Sequence, residues 1–432
     1  MVHSSVSSRR AWMIVVLVFL FMLVNFADKA VVGLSSTAII KELHLTHAQF
    51  GALGSAFFLL FSISGVVVGF LANRVATRSI MLCMSIIWAL ALLPMAGTVS
   101  YAVMLGSRVI LGAAEGPAFP VALHAVYKWF GDKRRAVPTS VVACGAAFGT
   151  GVVAPLITWI IEHYSWHAAF GTLAAVGAVW ALAWALLGED GPLDAPAGQP
   201  DAPARVPYRQ LILSRTAIGV FIAGFAAYWM IALNIVWLAN YLIKAVRLEP
   251  SSAAWIITLP SIMQMALAPC LAYVSQTLSK AGYSSRVSRA APGCACVAIA
   301  GIAAISFAIV PPGIAKILLI GLAFSTGSVI FTLGSTLIGE ISPASQRGAM
   351  LGITNSIHTL AGLVAPLAMG MIVDVGADPI DGFRTGYLYA GALVAVLGLA
   401  ALALIHPEAD LARFKASATG NMHDAANTST AR

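Results

Sequence analysis

The sequence predicts an all-α polytopic membrane protein, with twelve transmembrane helices arranged as two pseudo-symmetric six-helix halves. Three observations predict it. Hydrophobic residues make up 59% of the 432 residues and charged residues only 10%, against ~25% charged in an ordinary soluble domain; mean hydropathy is +0.89. Apolar runs of about 20 residues recur along the whole chain, long enough to cross a bilayer as helices and longer than the ~10 alternating residues of a barrel strand. The basic residues gather in alternate loops, as they do when one side of the membrane collects them.

The first run, over 11–38, follows SSVSSRR and reads AWMIVVLVFLFMLVNF. It begins like a signal peptide, but it is too long for an h-region and no small-residue cleavage site ends it, so it is the first span. The second and third spans, 48–72 and 79–97, flank a basic loop with Arg74 and Arg78. The fourth, 99–127, contains SRVILGAAEGPAFP, where Gly112 and Gly116 permit close helix approach and Pro117 and Pro120 predict a kink. The fifth, 136–162, repeats the GxxxG spacing at Gly145 and Gly149, and the sixth covers 166–188.

A polar stretch rich in Pro, Ala, Gly and Asp, GEDGPLDAPAGQPDAPARVPYR, then interrupts the apolar runs and reads as a flexible linker. It divides the chain into an N-terminal bundle over 1–188, a cytoplasmic linker over 189–212, a C-terminal bundle over 213–406 and a polar tail over 407–432 that is expected to be disordered. The seventh span, 213–243, ends in Trp237 and Tyr241, which fit either an interfacial aromatic belt or a wall of the site, the belt being the preferred reading. The remaining spans are 251–278, 290–311, 313–339, 346–375 and 384–406. Cys83, Cys144, Cys270, Cys294 and Cys296 form no CxxC pair and read as small buried hydrophobes rather than metal ligands.

Assigning Lys and Arg alternately to the two sides puts 18 of the 25 with the chain termini, among them Arg9, Arg10, Lys133, Arg134, Arg135 and Arg347. The other side holds Lys41, Lys244, Arg247, Lys316 and Arg384, while Lys29 and Arg108 fall within spans. This bias places both termini in the cytoplasm and turns the net charge of +8 into topology information, not a nucleic-acid footprint. A repeat supports the two halves. Val153-Ala154-Pro155-Leu156 recurs as Val364-Ala365-Pro366-Leu367, displaced by 211 residues, in the fifth and eleventh spans. Parallel halves of this kind form transporters whose substrate site lies between them near the midplane.

An ionisable residue at the centre of a membrane helix costs ~2.5–3.5 kcal/mol on insertion scales. This chain nevertheless has Asp28 and Lys29 in the first span and Arg108 and Glu115 in the fourth. Seven residues of helix turn through about 700°, so Arg108 and Glu115 lie within roughly 20° of one face and ~10 Å apart along the axis. Each is then free to meet another partner, Asp28 facing Arg108 for example. Two acids and two bases in one half exceed what fastening two helices requires. A carboxylate placed between desolvation and a neighbouring cation can exchange a proton, and a buried cation can hold an anion. These are ingredients of proton-coupled anion transport. Asn355 and His358 on the eleventh span, three residues apart on one helical face, and Gln264 on the eighth are expected to supply polar groups from the second half.

The layout resembles the major facilitator superfamily, and several motifs are similar to its anion:cation symporters. GFLANRVATR, with Gly69, Arg74 and Arg78 in place, follows the superfamily's loop signature between the second and third spans, except that Asn73 replaces an Asp and Ala76 a Gly. The resemblance implies that this loop holds the cytoplasmic gate, here with one charge fewer. NFADK resembles the first-span motif, with Phe26 for Tyr and Lys29 for Arg. RVILGAAEGPAFP resembles the fourth-span motif, SAFFLLF the second-span one with Phe61 in place of a substrate-contacting Tyr, and RGAMLGITNSIHTLAGLVAP the eleventh-span one, Asn355 included. The resemblance implies proton-coupling roles for Asp28 and Glu115 and an anion-related role for Arg108. Lys29, Phe61, Asn355, Gln264 and His358 complete the expected substrate site.

Two lost hydroxyls, and a compact ammonium where the family has a forked guanidinium, predict a site less suited to a polyhydroxylated sugar acid than to a more apolar carboxylate. The expected function is therefore import of a small organic anion with protons across a bacterial inner membrane, by a monomer without cofactor or metal. A proton-coupled exporter of drugs or metabolites is the alternative. The fifth-span run GTGVVAPLITW lacks the Gly-Pro pattern of antiporters, which counts against it. An enzyme is not expected, because HExxH, phosphate-loop and nucleophile-elbow motifs are all missing.

Overall fold

The computed structural model describes residues 8–71, 75–130, 136–192, 206–343 and 346–414. Among them are 12 helices long and apolar enough to cross a membrane. They run over Arg9–Leu34, His47–Val68, Thr77–Ala96, Tyr101–Tyr127, Val141–His163 and Trp166–Leu187 in the first half, then Arg215–Lys244, Pro250–Lys280, Arg286–Ile309, Ile314–Ile341, Arg347–Val375 and Pro379–Leu404 in the second. Each half packs as a bundle of six. Alternation puts the termini at one end of the molecule, and the opposite end is called the far end below.

Small residues set the helix spacing. A Cβ on Gly112 would overlap the Phe57 carbonyl, so the second and fourth spans touch backbone to backbone there. Gly145 and Gly149 likewise lie against Phe19 and Leu23 of the first span. Gly112→Leu is expected to prevent the second and fourth spans from docking, because a backbone carbonyl cannot move aside as a side chain can. Loss of the monodisperse peak in detergent chromatography checks this; a normally folded variant would show that the contact has slack.

The fourth span breaks where the prolines predict. One helix ends at Glu115 and the next begins at Ala118. The fifth contains a π-helical turn over Phe148–Val152, an irregularity that frees a carbonyl. Thr258 of the eighth span donates to one of its oxygens, Gly151 O, at 2.9 Å.

Other expectations are corrected. Trp237 and Tyr241 do not form an interfacial belt: both are buried inside the second bundle, Trp237 donating to Pro366 O at 2.9 Å and Tyr241 accepting from Lys316 at 3.1 Å. Cys294 and Cys296 are buried, but Cys83 and Cys270 face outward. The tail is ordered at its start. Residues 407–414 are helical, Asp410 accepts the Thr216 N–H at 2.8 Å and Phe414 is buried. Within the stretch read as linker, Glu189 pairs with Arg10 at 2.9 Å, Asp190 accepts from Thr77 and Arg78, and Tyr208–Ile212 forms a short helix.

The halves are sealed together at the far end. There Asp374 of the eleventh span caps the start of the second. Its Oδ1 accepts the His47 N–H at 2.9 Å and lies 2.8 Å from His47 Nδ1, and its Oδ2 accepts the Ala48 N–H at 2.7 Å. Carboxylates are favoured at helix N-termini because the first N–H groups lack partners within the helix. The seam continues through Ser55 and Leu367 to Ser62, which bonds Thr359 and Ser356. Beyond Ser62 a shallow crevice of about 400 Å³ lies along the two helices, walled by Val66 and Val67 on one side and Ile353 and Ile357 on the other. Nearby on the far end, Trp166 foremost and then His167 donate hydrogen bonds that hold the Glu42 carboxyl below its usual range.

Asp374→Asn removes the charge and one strong acceptor from this cap. The far-end halves of the second and eleventh spans are expected to take up deuterium faster than in the parent, with slower uptake at the terminus-bearing end as the population moves to the alternate state. Faster uptake at both ends would mean general loosening and no conformational shift.

Candidate functional site

The four charged residues expected from the sequence meet at one place, in the interior of the N-terminal bundle. Asp28, Lys29, Arg108 and Glu115 are all buried, none more than 4% exposed, and with Asn25 they form one cluster between the first and fourth spans. Asn25 and Lys29 are four residues apart and share a helical face, so the Lys29 ammonium donates to Asn25 Oδ1 at 2.5 Å. The fourth helix is drawn close to the second by Gly112, which brings Arg108 over the Phe57 ring at 4.7 Å from its centroid.

The pairing differs from the expected one. Asp28 does not bond Arg108. Instead Lys29 Nζ lies 2.9 Å from Glu115 Oε2, an ion pair inside the bundle. Both Asp28 carboxyl oxygens, and the Nε and one terminal nitrogen of Arg108, are buried without a hydrogen-bond partner among the described residues. The two acids and two bases are formally neutral together, which lowers the cost of burying them as a group. Within the group, one acid is engaged by a cation and one is not.

Aromatic rings surround the cations. Lys29 Nζ stands 4.2 Å from the Phe26 centroid and 5.4 Å from that of Phe61. Phe61 packs on Phe57 and Phe58, at 5.4 and 5.8 Å. A cation over a ring face gains ~0.5–2 kcal/mol, the larger value when water is excluded.

The second half contributes differently from expectation. His358 is buried at 3%, faces Val220 O at 3.2 Å and packs on Gly224 and Phe331. Asn355 is exposed, so the two do not form a shared polar patch; three residues of helix are enough to put one on the seventh span and the other off it. Gln264 is also exposed and does not join the cluster. In the loop signature, Asn73 and Arg74 lie outside the described residues, and Gly69 lies in the second helix. Arg78 bonds within its own half, donating to Ala185 O at 2.7 Å while its carbonyl accepts from Trp184. Sequence reasoning missed Tyr228 of the seventh span, whose ring meets Phe58 at 5.8 Å. A lone tyrosine in an apolar run carries no spacing signal that would single it out.

Two six-helix bundles joined along the second and eleventh spans, with a charged cluster buried in one of them, have the architecture of a membrane carrier rather than an enzyme. The chain belongs to the Major Facilitator Superfamily, whose pattern it matches over residues 17–232 and 220–427. It is 25% identical over 422 residues to the D-galactonate transporter of Escherichia coli O6:H1, covering 92% of this chain and 95% of that one. It is 24% identical over 429 residues to a probable galactarate/D-glucarate transporter of Bacillus subtilis, covering 92% of each. A probable sulfoacetate transporter of Cupriavidus necator is 25% identical over 421 residues, covering 90% and 93%. The similarity to anion:cation symporters stated from the sequence agrees with these relatives. Among solved structures, a bacterial homologue of the human lysosomal transporter Spinster, in an inward-facing and occupied conformation, superposes with a TM-score of 0.76 at 17% identity, covering 92% of this chain and 97% of that one.

Proposed function

We propose that this transporter imports a small organic anion together with protons, by alternating access, across a bacterial inner membrane. The observation that carries the reading is the buried cluster, in which Lys29 engages Glu115 at 2.9 Å while Asp28 and part of Arg108 have no hydrogen-bond partner among the described residues. A carrier needs a group that binds a proton in one state and releases it in the other, and a cation that recognises the anion. Asp28 and Glu115 take the first role, Arg108 and Lys29 the second. Linkage makes proton and anion affinity reciprocal when both act on one cluster.

With the basic residues concentrated at the terminus-bearing end, both termini are cytoplasmic. The relatives named for galactonate, galactarate and sulfoacetate support an anionic substrate. The rings of Phe26 and Phe61 beside Lys29 favour an anion with fewer hydroxyls than a sugar acid. The carrier acts as a monomer, and Phe61, Asn355, Gln264 and His358 line or support the substrate path.

The test is uptake by proteoliposomes of a panel of carboxylates, driven by an inward proton gradient. The expected result is accumulation of at least one acid that collapses with a protonophore. Accumulation of cationic drugs instead, or carboxylate uptake indifferent to the gradient, would refute the reading.

A further inference from the structure

The charged cluster belongs to the N-terminal bundle, and Tyr228 stands across the interface from it. Its ring meets Phe58 edge-on at 5.8 Å and Phe331 of the tenth span at 6.2 Å, and it lies within electrostatic reach of Glu115. The aromatic series therefore runs without interruption from Phe61, beneath Lys29, through Phe58 to Tyr228 and Phe331. Burial divides these rings into two sets. Phe57 and Phe58 are 1% and 2% exposed and serve as packing. Phe61, Tyr228 and Phe331 keep part of their surface free. The Tyr228 hydroxyl makes no hydrogen bond to a described residue.

We propose that Tyr228 is a specificity-determining residue that the C-terminal half contributes to the anion site, its ring and those of Phe61 and Phe331 forming the walls and its hydroxyl bonding a polar substituent of the ligand. The inference rests on the organic-anion reading above. Phe61 carries no hydroxyl, so Tyr228 returns one from the opposite half. Partly free aromatic faces suit a planar, unsaturated carboxylate, whose ring stacks while Arg108 attracts its charge. A ligand held at once by Arg108 on the fourth span and Tyr228 on the seventh also ties the two halves together, so its release is coupled to their separation.

The experiment measures uptake of benzoate, 4-hydroxybenzoate and D-galactonate by the full chain in proteoliposomes, for the parent, Tyr228→Phe and Tyr228→Ala. Tyr228→Phe removes one hydroxyl and no volume from the wall. It is expected to leave the KM for benzoate within about twofold and to raise that for 4-hydroxybenzoate about tenfold, the upper range for one hydrogen bond. Tyr228→Ala is expected to raise both about tenfold. Binding of the same acids to detergent-purified protein, read as a melting-temperature shift, supplies the same comparison for any variant whose transport is lost. An unchanged ratio of the two benzoates in Tyr228→Phe, with the parent active, overturns this inference alone. Uptake of galactonate with neither benzoate overturns the aromatic walls. Absence of carboxylate uptake in the parent overturns both the organic-anion reading and the inference.

Discussion

Glu115→Gln is expected to abolish proton-driven accumulation while preserving exchange. Glu115 is 1% exposed and its Oε2 lies 2.9 Å from Lys29 Nζ. Glutamine keeps the shape and an oxygen that can accept from the ammonium, but it cannot gain or lose a proton. In liposomes with an inward proton gradient, the internal-to-external substrate ratio should fall from well above unity to about one, while counterflow of labelled against unlabelled substrate continues. The contrast separates coupling from binding, since a variant that could not bind would lose both. A Glu115→Gln protein that still concentrates substrate against a gradient would place the coupling proton elsewhere, and Asp28, whose carboxyl oxygens have no hydrogen-bond partner among the described residues, is the group to examine next.

Lys29→Met is expected to be the most destabilising change in the charged cluster, and to be partly rescued by neutralising its partner. Removing one member of a buried pair leaves the other charge uncompensated, at a cost of ~3–5 kcal/mol, whereas replacing both with uncharged groups is often close to neutral. Lys29 also donates to Asn25 and stands over three rings, so methionine gives up those contacts as well. The double variant Lys29→Met with Glu115→Gln should therefore melt at a higher temperature than Lys29→Met alone, and Lys29→Arg should stay close to the parent. Thermal unfolding in detergent at fixed pH reads all four proteins. If the two losses simply add, Lys29 and Glu115 do not act as a pair and the contact contributes nothing to folding.

The two predictions differ in how much of each was legible in the sequence. That Glu115 must be compensated follows from its position alone, because a charge in an apolar helix is costly wherever it points. That its partner is Lys29 does not follow. Helical spacing places Arg108 and Glu115 on one face, but it cannot say how the first and fourth helices are rotated about their axes. Asn355 and His358 show the same limit. Their spacing is right for a shared face, yet the eleventh helix turns His358 onto the seventh span and leaves Asn355 exposed. Trp237 and Tyr241 are a different case. Near a helix end they read as a belt, but Pro366 O and Lys316 engage them inside the bundle. Composition near a membrane surface cannot distinguish an aromatic facing lipid from one facing a neighbouring helix.

What the sequence by itself determined was the set of spans, their division into halves and the presence of a charged site. These are local properties. In lipid every backbone group must be satisfied within its own helix, so hydropathy and length suffice to find the spans, and the energetic penalty of intramembrane charge marks the residues kept there. What only the tertiary structure decided was which residues meet. Lys29 with Glu115, Tyr228 with Phe58, and Asp374 with the start of the second helix, 327 residues away, depend on rotation, kink and tilt. Those are set by backbone contacts such as Gly112 against Phe57 and by the seam that ends at Ser62. They arise from packing between helices distant in the chain, and no local pattern of residues encodes them.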